Sequence, residues 1–333
     1  MQALLDHPPS REVEISRRDD DPIVIGLVNN MPDAALLSTE RQFRELLSAP
    51  SHGPSVRLEL FALPEIPRAE TGRSHVRRHY HDIGALWASH VDGLIVTGAT
   101  PSAPALADEP YWSTMTRLVD WAENRTASTV WSCLAAHVAV LHGDGINRQA
   151  LEKKLSGVFD CMKVADHAML AGAPRRWRVP HSRYNELPEA ALVSSGYQIL
   201  SRSPEAGVDM FVKQRKSLFL FLQGHPEYRP AALLREYRRD VGRFLAGECD
   251  TYPEMPCGYF DENAAAELAA FRRLAVRQRE IDLLASFPTA AAAGTSPHPW
   301  HRPAVDLYAN WLSYLAEHRS RARTSADFVR RFA

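Results

Sequence analysis

The sequence predicts an α/β protein with a mostly parallel β-sheet and helices on both faces of that sheet. Two observations carry the prediction. Several short runs are rich in apolar or β-favouring residues, as strands buried on both sides are, and they lie at residues 23–28, 91–98, 128–132 and 217–222. Segments with apolar residues at helical spacing separate these runs. Strands that alternate with helices favour parallel pairing, because each helix returns the chain to the same edge of the sheet.

In the first part of the chain, residues 1–21 are polar and charged and are predicted to form an N-terminal arm. The strand at 23–28 leads through a turn to a helix over 36–47, for which Ser38 is the expected N-cap. Residues 56–61 alternate in polarity, as a half-buried strand does. A basic, histidine-rich stretch follows at 68–81. It is either a solvated loop or a surface near the phosphates of a nucleotide-bearing substrate.

The rest of the chain continues the alternation and then adds helices. A helix is predicted over 111–123 and a strand–turn–helix unit over 126–141. Segments 152–159 and 179–184 set polar residues among apolar ones, and 197–200 with 210–212 suggest a hairpin leading to the strand at 217–222. Helices are predicted over 230–245, 260–284 and 305–318. We expect a single catalytic domain over 22–318, an inserted helix and linker at 261–298, and a charged tail at 319–333.

Composition excludes several classes of protein. The 333 residues carry a net charge of −1, so no strong field attracts nucleic acid or an anionic membrane. No apolar stretch is long enough to span a bilayer, and the first residues are too polar for a signal peptide. The four cysteines have neither metal-ligand spacing nor the pattern of a secreted disulfide framework. We expect a cytoplasmic homodimer with reduced thiols and no bound metal, which acts on small molecules rather than on nucleic acids or membranes.

Cys133 lies where a predicted strand meets a predicted helix. A cysteine on such an elbow stands clear of the sheet, and the free amides and dipole of the helix N-terminus favour its thiolate. Ala135 is small enough for the strand and the helix to approach closely, whereas Trp131 is not, so the elbow motif is half matched. The alternative is a buried structural cysteine at the start of a core helix.

The strand at 217–222 leads into Gln-Gly-His-Pro-Glu, which sets His225 and Glu227 two residues apart at a strand end. A cysteine nucleophile needs a base to form its thiolate, and the base needs a partner that fixes its tautomer and stabilises the imidazolium. Cys133, His225 and Glu227 can supply these three roles from the ends of two parallel strands.

These motifs resemble the class I glutamine amidotransferase-like superfamily, which has a flavodoxin-like fold. Within it, the chain resembles the homoserine O-succinyltransferase family much more closely. The resemblance rests on an ordered set of motifs between residues 23 and 314. They are Asn-Met-Pro at 30–32, Asp-Gly-Leu-Ile-Val-Thr-Gly-Ala at 92–99, Tyr-Trp at 111–112, Lys-Leu-Ser-Gly-Val at 154–158, Pro-His-Ser-Arg-Tyr at 180–184, Gly-His-Pro-Glu-Tyr at 224–228 and Asn-Trp-Leu at 310–312.

The resemblance implies an acyltransferase of methionine biosynthesis. Such an enzyme moves a succinyl or acetyl group from acyl-CoA, its cosubstrate, through an acyl-cysteine to the hydroxyl of L-homoserine, and binds no further cofactor. Glu236 and Arg239 match positions that hold the amino and carboxylate groups of the substrate. Their spacing of three residues puts both on one face of a helix. The further substrate-binding candidates are Lys154, Ser182, Arg183 and Tyr228.

The resemblance also assigns the loop after residues 97–99 to the oxyanion hole and to the choice of acyl donor. The backbone N–H of Leu134 is the first expected oxyanion donor. Pro101 falls at the second donor position and has no N–H, so either the loop shifts and Thr100 or Ser102 replaces it, or the oxyanion hole is weaker. At the donor-selecting position the family carries glycine with succinyl-CoA and glutamate with acetyl-CoA. Ser102 is small, uncharged and able to donate to a carboxylate, which favours succinyl-CoA.

Several departures from the family pattern keep alternatives open. Asp33 stands where the family commonly has lysine, Leu134 where it often has tryptophan, and Cys161 in a segment that usually carries glutamate and histidine. The acceptor could therefore be serine or another hydroxy-amino acid. A glutaminase or amidotransferase subunit and a non-catalytic binding module are two further alternatives. The chain has no synthetase domain, which argues against the first, and all three catalytic residue types, which argues against the second.

Overall fold

The computed structural model describes residues 12–15, 21–50, 53–293 and 298–332. The strands are β1 (Glu12–Ile15), β2 (Ile23–Val28), β3 (Val56–Ala62), β4 (His81–Asp82), β5 (Gly93–Val96), β6 (Ser128–Ser132), β7 (Gln149–Lys163), β8 (Arg176–Glu186), β9 (Gln198–Ser203), β10 (Gly207–Gln214) and β11 (Leu218–Leu222). The helices are α1 (Asp33–Ser48), α2 (Glu70–His79), α3 (Ile83–Ala88), α4 (Trp112–Arg125), α5 (Leu134–Asp144), α6 (Glu189–Ser194), α7 (Ala232–Leu245), α8 (Glu262–Arg277), α9 (Thr289–Ala293) and α10 (His301–Phe332).

The described strands form one sheet in the order β1-β3-β2-β5-β6-β11-β10-β9-β7-β8, with β4 paired to β3. All neighbours from β3 to β11 are parallel. From β11 to β8 the pairing is antiparallel. The predicted α/β fold with a parallel central sheet is confirmed, and so is the hairpin of β9 and β10 that leads to β11.

Apolar side chains of the central strands fill a core on each face of the sheet. Val24 and Val28 of β2 face a cluster that includes α4 and α5. Ile25 and Leu27, on the opposite face of the same strand, belong to a cluster that includes α1 and α10. This arrangement explains why β2 is apolar at every buried position instead of alternating. A third cluster joins α7 and α8 to Trp300, and it supports the helices added at the C-terminal side.

The structure corrects two predictions in the first part of the chain. Helix α1 begins at Asp33 with Pro32 at the N-cap, so Ser38 lies inside the helix, where its hydroxyl donates to the Ala35 carbonyl at 2.9 Å. The fixed φ of proline suits the entry to a helix, and the helix accordingly begins after the proline rather than after the serine. Residues 70–79 are helix α2 rather than a loop. Glu70 pairs with Arg73 at 2.9 Å and Arg77 at 2.7 Å across its turns, a stabilising pattern that composition alone concealed.

The other differences concern the length of elements. The segments 152–159 and 179–184 are parts of the long antiparallel pair β7–β8, in which Val158 lies opposite Pro180. The closing helix extends to Phe332, through most of the predicted tail. Within the predicted arm, Glu12–Ile15 pair with β3, while 1–11 and 16–20 lie outside the described residues. The predicted linker holds α9, and its residues 294–297 also lie outside them. Among the described helices, none is long and apolar enough to cross a membrane.

Candidate active site

Cys133 occupies a strained elbow between β6 and α5. Its φ of 53° and ψ of −117° make it the one described non-glycine residue with a positive φ. Such a backbone costs about 1–3 kcal/mol and persists only where the surroundings impose it. The parallel pairing of β6 with β11 does so here, and it continues into a hydrogen bond from the Cys133 N–H to the Leu222 carbonyl at 2.7 Å. The thiol remains partly exposed, as a nucleophile must be.

The residues after β11 bring the base to the same edge of the sheet. His225 Nδ1 lies 2.8 Å from Glu227 Oε1, and both side chains are buried. The backbone fixes this segment, because the Gln223 N–H donates to the Asp209 carbonyl at 2.8 Å and the His225 N–H to the Pro180 carbonyl at 2.7 Å. The Cys133 side chain lies close enough to the imidazole to act on its pKa. The structure therefore brings the three predicted catalytic residues to one edge of the sheet.

The electrostatics around His225 favour its protonated, positively charged form. Burial alone would lower the pKa of His225, but the charges of Glu227 and Cys133, together with their hydrogen bonds, raise it well above the usual histidine value. The imidazolium is consequently stable beside the sulfur, and an imidazolium–thiolate pair is the form that a cysteine nucleophile requires. The ring of Tyr228 stacks on the imidazole with centroids 4.3 Å apart and planes inclined by 17°.

The loop after β5 approaches the elbow through Gly98. A Cβ at Gly98 would lie 3.0 Å from both the backbone nitrogen and the Cβ of Leu134, so a larger residue would crowd the start of α5. Farther along, the hydroxyl of Ser102 donates to Glu109 at 2.8 Å, and its N–H donates to both oxygens of the same carboxylate, at 2.8 and 3.1 Å. Both donors of Ser102 are thus engaged within the loop, while Leu134 is the first residue of α5 and Thr100 lies in the loop before Ser102.

A second polar cluster lies beside the triad and is centred on Glu236 of α7. The hydroxyls of Ser182 and Tyr228 both donate to its carboxylate. Lys154 Nζ lies 3.4 Å from the same carboxylate. Burial would raise the pKa of Glu236, but Lys154 and the two hydroxyls outweigh it and lower the pKa. The structure brings three of the predicted substrate-binding residues to the carboxylate of a fourth, Glu236, which is partly exposed.

Arg239 extends this cluster through Asp240, a residue that the sequence does not single out. The guanidinium of Arg239 donates to Asp240 Oδ1 at 2.8 and 3.0 Å, and Lys154 Nζ lies 2.7 Å from Oδ2. Asp240 therefore joins two predicted substrate-binding cations. An aspartate among charged residues on an amphipathic helix resembles a solvated face, and only its exposed fraction of 8% distinguishes it.

Arg183 is placed apart from the Glu236 cluster. It is buried on β8, and its guanidinium donates to the backbone carbonyls of Asn185, at 2.8 Å, and Ala206. Burial lowers its pKa, although Glu186 and Cys133 act in the opposite direction. Its contacts are therefore those of a residue that supports the β-sheet around the site. Neighbouring residues on a strand face opposite ways, which explains why Ser182 reaches Glu236 and Arg183 does not.

Beneath the His225 segment lies a buried group that the sequence does not reveal. The ligand atoms of Cys161, His181 and Asp209 all lie within 4.8 Å of one another. Asp209 accepts a 2.6 Å hydrogen bond from Ser201, and a Cβ at Gly224 would come within 2.6 Å of Asp209 and 2.9 Å of His181. The three residues are the group among those described that could hold a metal ion. Asp209 is hydrogen-bonded, whereas neither ring nitrogen of the buried His181 has a hydrogen-bond partner among the described residues, although its Nε2 lies 3.3 Å from Asp209 Oδ1. The tight contact with Gly224 places the group against the segment that carries His225.

The fold, with a cysteine on a strand–helix elbow and a histidine–glutamate pair at the end of the neighbouring parallel strand, is of the class I glutamine amidotransferase-like type. The fold agrees with a solved structure described as a glutamine amido transferase from Methylobacillus flagellatus. That structure aligns with a TM-score of 0.50 and 15% identity over 88% of this chain and 94% of the other. The sequence model of the family described as homoserine O-succinyltransferase matches residues 10–321. The chain belongs to the homoserine O-succinyltransferase family.

Curated relatives agree over nearly their full length. A homoserine O-succinyltransferase of Methylorubrum extorquens is 49% identical over 293 residues, which cover 88% of this chain and 87% of the relative. One of Rhodopseudomonas palustris is 50% identical over 88% of each chain. One of Bradyrhizobium japonicum is 47% identical over 90% of this chain and 93% of the relative. Family membership makes the chain a transferase that acylates homoserine in methionine biosynthesis, and the amidotransferase and binding-module alternatives are not favoured.

Proposed function

We propose that the chain transfers a succinyl group from succinyl-CoA to the hydroxyl of L-homoserine through a thioester on Cys133. The observation that carries the proposal is the contact between two sites. The ring of Tyr228 stacks on that of His225, the proposed base, and its hydroxyl donates to Glu236. One side chain therefore joins the triad to the polar cluster around Glu236, which we propose as the acceptor cluster. The names of the relatives support succinyl as the acyl group and homoserine as the acceptor.

The first half of the reaction acylates the enzyme. The Cys133 thiolate attacks the carbonyl carbon of succinyl-CoA, and the N–H of Leu134, at the start of α5, stabilises the oxyanion. Thr100 is proposed as the second donor, because the N–H of Ser102 is already donated to Glu109. The carbon–sulfur bond to CoA then breaks, and His225 gives its proton to the departing CoA thiolate. CoA leaves, and the succinyl group remains on Cys133.

The second half transfers the acyl group. His225, now neutral, takes the proton of the homoserine hydroxyl as the oxygen attacks the thioester. The bond from the acyl carbon to Cys133 breaks, the ester forms, and the thiolate returns. Glu236 is proposed to bind the amino group of the acceptor and Arg239 its carboxylate, because a zwitterion needs one anion and one cation that can donate two hydrogen bonds. Lys154, Ser182 and Tyr228 hold Glu236 for this contact.

The test is mass spectrometry of the intact protein after mixing with succinyl-CoA alone. We expect one succinyl group per chain, its loss on addition of L-homoserine, and neither event in Cys133→Ala. Cys257 is an exposed thiol, so Cys257→Ala serves as the matched control and should still be acylated. Labelling of the Cys133→Ala variant would contradict the proposal. Turnover should fall by about 10²–10⁴-fold in His225→Asn, since a general base is lost, and by less in Glu227→Gln.

The proposal extends to the form of the enzyme. We propose one catalytic domain over 22–318 in a cytoplasmic homodimer that needs no cofactor besides the acyl-CoA cosubstrate. Sedimentation of the purified chain tests the dimer, and dialysed enzyme that retains full activity with added acyl-CoA tests the absence of a bound cofactor.

A further inference from the structure

Glu109 is a buried carboxylate at the base of the loop between β5 and α4. Glu109 is 3% exposed, although the residues before and after it in the sequence are exposed. The carboxylate accepts hydrogen bonds from the Ser102 N–H at 2.8 and 3.1 Å, from the Ser102 hydroxyl at 2.8 Å and from the Ala103 N–H at 3.0 Å. A buried carboxylate is costly unless its oxygens are hydrogen-bonded, and three groups of one short segment supply the bonds here.

These bonds close the loop into a fixed shape. At one end of the loop, Gly98 packs against the backbone nitrogen of Leu134 at the elbow. At the other end, the carbonyl of Glu109 accepts the Trp112 N–H at 2.9 Å, which joins the residue to the first turn of α4. The segment between is mostly exposed and carries two prolines, although Leu106 within it is buried in the core. Glu109 therefore connects the exposed first half of the loop to the body of the protein.

The same bonds change the part that Ser102 can play. The hydroxyl of Ser102 is donated to a carboxylate, so it has no proton to give to a carboxylate-bearing acyl group. Ser102 instead supplies, through its N–H and its hydroxyl, two of the three groups that hold Glu109 in place.

We propose that Glu109 is a positioning residue for the acyl-donor half of the reaction, and that Ser102 acts as its tether rather than as a ligand of the acyl group. The inference rests on the proposed function for its kinetic consequence. Glu109 sets the loop against the elbow, where the CoA thioester must be held for attack. Acceptance of the acyl group by homoserine takes place after CoA has left, and the acceptor cluster on α7 makes no contact with this loop among the described hydrogen bonds.

The experiment separates the two half-reactions in Glu109→Gln. Loss of hydrogen bonds to a charged group should slow thioester formation by about 10- to 100-fold. Release of the acyl group to L-homoserine, started from pre-acylated enzyme, should change by less than about threefold. The matched control is Glu65→Gln, because Glu65 accepts from Thr114 of α4 at 2.5 Å without touching the loop. The control should leave both half-reactions within about twofold of wild type.

Ser102→Ala provides the second variant and keeps Glu109 intact. As a tether, Ser102 should affect acylation by succinyl-CoA and acetyl-CoA by the same factor, about 3- to 10-fold for one hydrogen bond. A loss confined to succinyl-CoA would show that Ser102 binds the acyl carboxylate and would overturn the tether. Equal slowing of both half-reactions in Glu109→Gln, or no change in either, would overturn the positioning role.

Hydrogen exchange of backbone amides supplies a measurement that needs no acyl-CoA. The amides of Ser102 and Ala103 should exchange slowly in wild type and at least about tenfold faster in Glu109→Gln, because their acceptor is weakened. Unaltered protection would contradict the inference even if the enzyme were inactive with both acyl-CoA donors. Failure of the proposed function appears differently, as wild-type protein that forms no thioester while these amides still depend on Glu109.

Discussion

The ring of Tyr228 stacks on the imidazole of His225 at 4.3 Å, while its hydroxyl donates to the carboxylate of Glu236. One side chain therefore contacts the proposed base and the anion of the proposed acceptor cluster. Burial and the neighbouring Glu236 raise the pKa of Tyr228 well above its usual value, so the phenol stays protonated and donates. The proposed base and the group proposed to bind the acceptor's amine are held in a fixed relation by this residue.

Tyr228→Phe should separate these two roles. The variant keeps the stacked ring and removes the hydrogen bond to Glu236, which is worth about 1.5–3 kcal/mol when one partner is charged. We expect the KM for L-homoserine to rise by about 10- to 100-fold, while the rate of thioester formation with succinyl-CoA stays near that of wild type. Stopped-flow measurement of each half-reaction checks this.

A matched control for this variant is Tyr197→Phe. The Tyr197 hydroxyl also donates to a carboxylate, that of Asp144, at 2.5 Å, but on another part of the sheet. It should leave both half-reactions within about twofold of wild type. Slower thioester formation in Tyr228→Phe would show that the hydroxyl positions His225 as well, and would contradict the division of roles.

The raised pKa of His225 predicts a pH-dependent effect of Glu227→Gln. Burial acts to lower this pKa, and the charge of Glu227 is the largest influence that raises it. The glutamine removes the charge and can still accept the imidazole N–H, so the pKa of His225 should fall. Nitrogen NMR of the imidazole should show the decrease directly. A pKa that stays raised would mean that Cys133 alone stabilises the imidazolium.

The same shift has a consequence for stability. A histidine with a folded-state pKa above its unfolded value of about 6.5 stabilises the protein fully below that pH, and this contribution is lost as pH rises through the folded pKa. The difference in free energy of unfolding between wild type and Glu227→Gln should therefore be largest in acid and should narrow as the pH is raised. Urea unfolding over a pH series measures it, with Glu45→Gln as a surface control, since Glu45 pairs with Arg229 in an exposed ion pair. Parallel curves across the series would contradict the prediction.

The triad and the central sheet are predictable because their signals are local. A fully apolar run identifies a buried parallel strand, and the residues that end neighbouring strands meet at one edge of the sheet. These two rules are sufficient to place Cys133 next to His225 from the order of residues alone. The strain at Cys133, with its φ of 53°, also follows from the sharp change between strand and helix at that residue.

Residues that act through contacts distant in sequence are not predictable in the same way. Asp240 becomes informative only when β7 brings Lys154 to it, 86 residues away along the chain. Glu109 resembles an ordinary acid near a helix start until its bonds to Ser102 are seen, and Arg183 resembles a pocket residue until strand β8 turns it inward. The helix α2 escapes prediction because it has little apolar surface, and its contact with α1 through His75 and Glu40 joins residues distant in sequence.

Gly98→Ala tests the proposed oxyanion donor. The new Cβ would lie 3.0 Å from the Leu134 nitrogen, which is closer than ordinary van der Waals contact, so the loop or the first turn of α5 must move. Loss of one oxyanion donor typically costs about 10²–10³ in rate, and we expect thioester formation to slow by a similar factor. The comparison is Gly143→Ala at the other end of α5, where the Cβ meets only the flexible end of Arg215. Equal effects of the two substitutions on the rate of thioester formation would contradict the proposal that the Leu134 N–H is an oxyanion donor.

Asp240→Asn should weaken the acceptor site and lower stability, especially at neutral pH. Burial would raise the pKa of Asp240, but Lys154 and Arg239 outweigh it and lower the pKa. A carboxyl group with a lowered folded-state pKa stabilises the protein above its unfolded pKa of about 3.9 and loses that contribution as pH falls through the folded pKa.

The asparagine leaves Lys154 without its 2.7 Å partner and frees the guanidinium of Arg239. Because both cations are partly solvated, we expect a loss of about 1–2 kcal/mol at pH 7 and little loss in strong acid. The KM for L-homoserine should rise, and thioester formation should be maintained, since the described hydrogen bonds join Asp240 to Lys154 and Arg239 and not to the triad. Asp306→Asn, which breaks an exposed helical pair with Arg302, should cost less than about 0.5 kcal/mol. If instead Asp240→Asn lowers the KM for homoserine, Asp240 competes with the substrate carboxylate for Arg239 rather than positioning it.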